Sequence, residues 1–100
     1  MPSQLFFVRL TGNRPNFAAT MTPEEQAVMR EHADFLKEQL KAGTLVVSGP
    51  VLEPGGVFGM GVFEVQSREE IDALMARDPA RVIGHHSIAP MGPSTFRPAS

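Results

Sequence analysis

The chain has no cysteine, no tryptophan and no tyrosine among its 100 residues. The first absence excludes disulfides, thiolate zinc sites, iron–sulfur clusters and cysteine nucleophiles. The other two leave the protein nearly transparent in the near ultraviolet, so strong absorbance there would report a bound chromophore. An excess of one charge is lacking too. Nine basic and eleven acidic side chains give a net charge of −2, and no run of Lys or Arg is long enough to track phosphates. Nucleic acid is therefore not an expected partner. No stretch approaches the roughly eighteen consecutive apolar residues of a membrane span, and Met1-Pro2-Ser3-Gln4 lacks the basic and apolar regions of a secretory signal. A cytoplasmic protein with no membrane partner is expected. Its length suits one domain, able to bury roughly two thirds of the unfolded surface without a staple.

What is present alternates between two periodicities. Leu5-Phe6-Phe7-Val8-Arg9-Leu10 reads as a strand that stops at Thr11-Gly12-Asn13-Arg14-Pro15. Thr22-Pro23-Glu24-Glu25 combines a capping hydroxyl, proline at the first helical position and glutamate three residues after the cap. Met29, Ala33, Leu36 and Leu40 then recur at helical spacing, widened by Val28 and Phe35, until Gly43 ends the helix. Leu45-Val46-Val47 predicts a short strand ended by Ser48-Gly49-Pro50, and Phe58 to Val65 a third strand, the two forming a hairpin with a long connection through Pro54-Gly55-Gly56. Ser67-Arg68-Glu69-Glu70 starts a shorter helix with Ile71, Leu74 and Met75 on its apolar face, and Asp78-Pro79 is expected to end it. His86 to Ala89 is the fourth strand. A domain over residues 1–91 and an extended or disordered tail over 92–100 complete the reading.

The order is βαββαβ, the ferredoxin-like α+β arrangement, with both helices on one face of a four-stranded antiparallel sheet. The first strand is apolar on both sides, Phe6, Val8 and Leu10 on one and Leu5 and Phe7 on the other. A second apolar face left open to water marks an interface. The expectation is a homodimer whose sheets pack face to face about a two-fold axis.

His32 on the first helix and Asp78 at the end of the second occupy matching points of the two strand-helix-strand halves, so folding can bring them together. His32 projects on the side of Val28, Phe35 and Leu36, away from Glu31, Lys37 and Glu38. Two readings fit it: a core-edge histidine bonded to a backbone carbonyl, or a general acid or base, since imidazole titrates in the physiological range. Asp78 likewise fits a plain turn former before proline, or an acceptor that fixes the His32 tautomer and stabilises the protonated ring. Ser48, Gly49 and Pro50 follow a buried-type strand where a hydroxyl and backbone N–H groups can meet a ligand oxygen. Arg9, on the Leu5 and Phe7 side, can hold an anionic group or pair across a dimer, and Arg14 in its loop is a weaker version of the same idea.

Other motifs carry less. His85-His86 resembles a metal pair, but adjacent strand residues point to opposite faces. No H-x-x-x-H spacing is present, and the glycines at 55, 56, 59 and 61 do not form a G-x-G-x-x-G loop opening a helix. Neither a metal nor a cofactor is expected. Met29, Met60 and Met75 read as core fillers.

Taken in order, His32-x-x-x-Leu36, Gly43-Thr44-Leu45 leading to Ser48-Gly49-Pro50, Ser67-x-Glu69-Glu70, Asp78-Pro79 and Ile88-x-Pro90-Met91 make the chain resemble the YCII-related (YciI-like) family of small ferredoxin-like proteins. The likeness runs from Phe6 to Met91. The resemblance implies a dimeric α+β barrel with an active site built on the family's histidine and aspartate, which fall on His32 and Asp78. In one branch the chemistry is elimination of HCl from a chlorinated hydroxyquinol, and related dimeric barrels bind small aromatic or lactone substrates. This chain departs from shorter members in a longer Thr11 to Met21 segment containing Arg14-Pro15-x-Phe17, which bears on the shape of the pocket. Two functions are consistent with all of this. One is a cofactor-independent lyase or isomerase on a small molecule, with His32 as proton shuttle, Asp78 orienting it, and Arg9, Ser48 and Gly49 seating an oxyanion. The other is a non-catalytic dimeric module that binds or senses a small ligand.

Overall fold

The computed structural model describes residues 3–98, so the outermost two residues of the expected domain and of the expected tail lie outside it. In chain order the elements are β1 (Gln4–Gly12), α1 (Pro23–Ala42), β2 (Leu45–Glu53), β3 (Gly56–Val65), α2 (Arg68–Met75) and β4 (Gly84–Pro90). Single 3-10 turns at Phe17–Ala19 and Pro79–Val82 precede α1 and β4. The sheet runs β2-β3-β1-β4 with every neighbouring pair antiparallel. This is the ferredoxin-like α+β order.

Local chemistry accounts for the helix limits. The Thr22 side chain accepts the Glu25 N–H while the Glu25 carboxylate accepts the Thr22 N–H, closing a capping box around Pro23. At the other end Gly43 adopts φ 83°, a left-handed conformation that only glycine takes without strain, and its N–H reaches back to the last turn. In α2 the Ser67 hydroxyl caps Glu70, whereas Glu70 returns its bond to the Gln66 N–H rather than to Ser67.

Both helices press on one face of the sheet. Phe35 of α1 and Ile71, Leu74 and Met75 of α2 join Phe6 and Val8 of β1 and Phe63 and Val65 of β3 in one buried cluster. Each such side chain contributes about 1.5–3 kcal/mol by leaving water, so this contact holds the layers together. The opposite face is open. Phe7 lies across from Val62 and Ala89, and Val62 across from Val47, which is 50% exposed.

Several expected boundaries move. β2 does not stop at Ser48-Gly49-Pro50 but continues to Glu53, because it is an edge strand and proline costs no ladder bond on the outer side. The hairpin connection is correspondingly tight, with Glu53 paired to Gly56 across Pro54-Gly55. α2 ends at Met75, three residues before Asp78, which instead caps the following turn. In the last turns of α1 the buried position is Gln39, whose side-chain oxygen accepts the Thr44 hydroxyl at 2.7 Å, while Leu40 is 49% exposed. Residues 92–98 form no helix or strand. No helix among the described residues is long and apolar enough to cross a membrane.

Candidate active site

Pro79 forces its predecessor out of the helical region, and Asp78 accordingly sits at φ −69°, ψ 124°. From there its Oδ1 accepts the Ala80 N–H at 2.9 Å, fixing the carboxylate in the interior at 1% exposure. His32 reaches it from the mid-portion of α1, placing Nδ1 2.7 Å from Oδ1. A second imidazole arrives from β4, with His86 Nε2 2.9 Å from Oδ2. Burial pushes the Asp78 carboxyl up, but hydrogen bonds from His32, His86 and the Ala80 N–H, with the attraction of the His32 ring, hold it well below the usual carboxylate range. Asp78 is thus an ionised acceptor, and each nitrogen facing it must carry a hydrogen. His32 is the Nδ1–H tautomer, leaving the Nε2 lone pair free to take a proton.

His32 borders a cavity of about 350 Å³ between the helices and the sheet, within the ~300–1,000 Å³ typical of small-molecule sites. Met29 and Leu36 of α1 and Phe17 of the loop after β1 form apolar walls, and Gly59 of β3 leaves room beneath, while the Phe63 ring packs over Gly61. The polar side chains on the wall are His32, Asp78, His86 and Ser48, and among the described residues no Lys or Arg borders it. Ser48 lies opposite Gly61, on the helix side of the sheet, and its hydroxyl has no hydrogen-bond partner among the described residues. Of the three methionines expected as core fillers only Met75 joins the buried cluster; Met29 is part-buried on the cavity wall, and Met60, opposite Arg9, has its side chain on the open face of the sheet.

The structure gathers His32, Asp78, Ser48, Gly49 and Pro50 around this space and leaves both arginines out of it. Arg9 lies on the open face, its guanidinium 3.7 Å over the Phe58 ring and 3.9 Å from Glu53. The reason is parity, because β1 sends Val8 and Leu10 toward the helices and Arg9 the other way. Arg14 is occupied by Glu25 at 2.8 and 2.9 Å and by the Thr20 carbonyl at 2.6 Å. The longer loop does reach the site, through Phe17, Ala18 and Met21.

His86 was not picked out as a site residue by sequence reasoning, though a signal existed. Strand alternation with Ile88 puts His86 inward and His85 outward, and the ladder seats His86 opposite Leu10. Among the described residues no group of three or more His, Asp or Glu side chains is arranged to hold a metal ion. The two imidazoles address separate carboxylate oxygens rather than one shared vacant point.

The sequence pattern of the YCII-related domain matches residues 5–92. The chain belongs to the YCII-related family. No curated protein matches the sequence. Among solved structures, the fold is similar to SnoaB of Streptomyces nogalater, described as a cofactor-independent oxygenase, with a TM-score of 0.51 and 13% identity over 99% of this chain and 100% of that one. A variant of the same protein gives a TM-score of 0.50 and 14% identity over the same shares. At such identity the likeness concerns the fold alone, the α+β architecture described above.

Proposed function

We propose that the protein is a cofactor-independent small-molecule enzyme of lyase or isomerase type, in which His32 transfers a proton and Asp78 orients it. The observation that carries this reading is the 2.7 Å contact between His32 Nδ1 and a buried carboxylate at the edge of an apolar cavity. The geometry matches the division of labour in other imidazole–carboxylate pairs, where the acid fixes the tautomer and stabilises the imidazolium. His32 Nε2 takes the proton from an acidic C–H or O–H of the substrate. The electrons released form a new double bond, with departure of a leaving group in an elimination or return of a proton to a neighbouring atom in an isomerisation. Ser48 donates to the oxygen on which charge develops. SnoaB, described as a cofactor-independent oxygenase, is a precedent for catalysis without a cofactor on a similar fold.

A second copy is the proposed partner for the open sheet face, where Leu5, Phe7, Met60 and Val62 of the central strands cluster on the side away from the helices. We propose a soluble, cytoplasmic homodimer.

The test compares wild type with His32→Ala and Asp78→Asn on hydroxyquinols, lactones and dienols, with folding followed by circular dichroism. Turnover by wild type that falls ~10²- to ~10⁴-fold in both folded variants supports the enzyme. Ligand binding without turnover in the wild type overturns it in favour of a binding module.

A further inference from the structure

We propose that His86 is a second proton-transfer residue, so that one buried carboxylate serves two imidazoles acting on different atoms of the same substrate. This rests on the reading of His32 as a proton carrier. The two rings approach Asp78 through different nitrogens, His32 through Nδ1 at 2.7 Å and His86 through Nε2 at 2.9 Å. Because the acceptor is ionised, those nitrogens hold hydrogens and the lone pairs lie at His32 Nε2 and His86 Nδ1. Neither free nitrogen has a partner among the described residues, yet neither is a sealed, unsatisfied atom. Both rings border the cavity, with side chains only 14% and 11% exposed. A residue needed solely to satisfy Asp78 Oδ2 requires one donor; His86, which borders the cavity, has a second ring nitrogen not engaged by that bond.

The charges suit a relay. One imidazolium beside Asp78 makes a neutral pair, and a second imidazolium on the same carboxylate meets the repulsion of the first. No other ionisable side chain borders the cavity, and Arg81 reaches Asp78 only at its backbone carbonyl, 3.1 Å away. Turnover begins with His86 protonated and His32 neutral. His32 Nε2 takes a proton from one substrate atom while His86 Nδ1 gives its proton to another. The positive charge passes from one side of Asp78 to the other and stays paired throughout. In an isomerisation one proton has moved along the substrate. In an elimination His32 has taken the C–H proton and His86 has protonated the departing group. Loss of a proton from His32 to solvent and gain of one by His86 reset the site, and no oxidant or reductant is consumed. With no Lys or Arg on the wall among the described residues, the substrate class is an uncharged, mainly apolar enol, phenol or ketone with two proton-exchanging positions.

The first arm of the test needs no substrate: nitrogen-15 NMR of the imidazoles in the full chain across the range in which histidine titrates. The expected neutral tautomers are Nδ1–H for His32 and Nε2–H for His86, with protonation in two separated steps that collapse to one in His86→Gln, whose amide still donates to Asp78. The opposite His86 tautomer, or His32 titration unaffected by His86→Gln, overturns the proposal. The second arm follows a β,γ-unsaturated cyclohexenone in deuterated water. His86→Gln should keep deuterium exchange beside the carbonyl but lose isomerised product by ~10²-fold or more, whereas His32→Gln should lose both. Product formation indifferent to His86→Gln but lost in His32→Gln sinks the relay and leaves the single-base reading standing. Indifference to both variants sinks the single-base reading itself.

Discussion

The Arg14 guanidinium grips both carboxylate oxygens of Glu25, at 2.8 and 2.9 Å, and so ties the loop after β1 to the first turn of α1. The same loop supplies Phe17 and Met21 to the cavity wall. A residue that sequence reasoning offered as an anion ligand therefore acts one layer back, by holding the wall in place.

This tie makes stability depend on pH in a stated direction. Hydrogen bonds from Arg14 first, and from the Thr22 N–H second, hold the Glu25 carboxyl at about 2 against an ordinary value of 4.5. A depressed carboxylate stabilises the fold above its ordinary value, and that contribution disappears as pH falls through the folded one. Arg14→Gln should therefore be less stable than wild type at neutral pH, with the gap closing between about 4.5 and about 2. Asp78 is shifted in the same direction in both proteins and cancels in the comparison. Urea unfolding at neutral pH and near the acid limit checks this; a gap independent of pH would count against the tie.

Two glycines near the cavity should respond oppositely to a methyl group. At Gly12 an added Cβ would stand 2.4 Å from both Cβ and Cγ of Phe17. Overpacking of that kind costs about 1–3 kcal/mol, and here it displaces the loop that walls the site. At Gly59 the nearest atom is Leu10 Cβ at 3.6 Å, an ordinary contact, so Gly59→Ala should change stability by less than about 1 kcal/mol. Thermal unfolding of the two variants tests the contrast, and equal effects would show that Phe17 yields freely.

The proposed dimer depends on the face that Phe7 and Val62 share. Phe7→Lys puts a charge at its centre without touching the helix-side core. The expected result is a dimer constant weakened ~10²-fold or more with unchanged circular dichroism, since burying an unpaired charge costs several kcal/mol. Light scattering reads it directly. A wild type that stays monomeric at high concentration would remove the interface.

Much of the fold was legible because its signals are local. Thr22 and Glu25 announce a capping box, Gly43 a left-handed stop, and β1 a strand apolar on both sides. The meeting of His32 and Asp78 could be expected from their matching places in the two halves. What escaped depends on tertiary context. Pro50 looked like a terminator because its tolerance on an edge strand requires the sheet order. Arg9 was placed correctly on the Leu5 and Phe7 side by strand parity, but its partners Phe58 and Glu53, like the Glu25 partner of Arg14, come from elsewhere in the chain and could not be read from charge. Gln39 displaced Leu40 from the interior because the Thr44 hydroxyl satisfies its amide. His86 was weighed with His85 as a metal pair and set apart from it by strand alternation, but that it meets Asp78 depends on the tertiary fold.

The hollow beneath α1 has its room partly because β3 carries a hydrogen atom in place of a side chain at position 59. The helices need not stand further off the sheet to admit a guest there, so occupancy and layer packing are only loosely tied. Position 59 can then serve as a depth gauge: progressively larger residues there shorten the longest guest accepted, while the hydrophobic cluster on which folding depends is left alone.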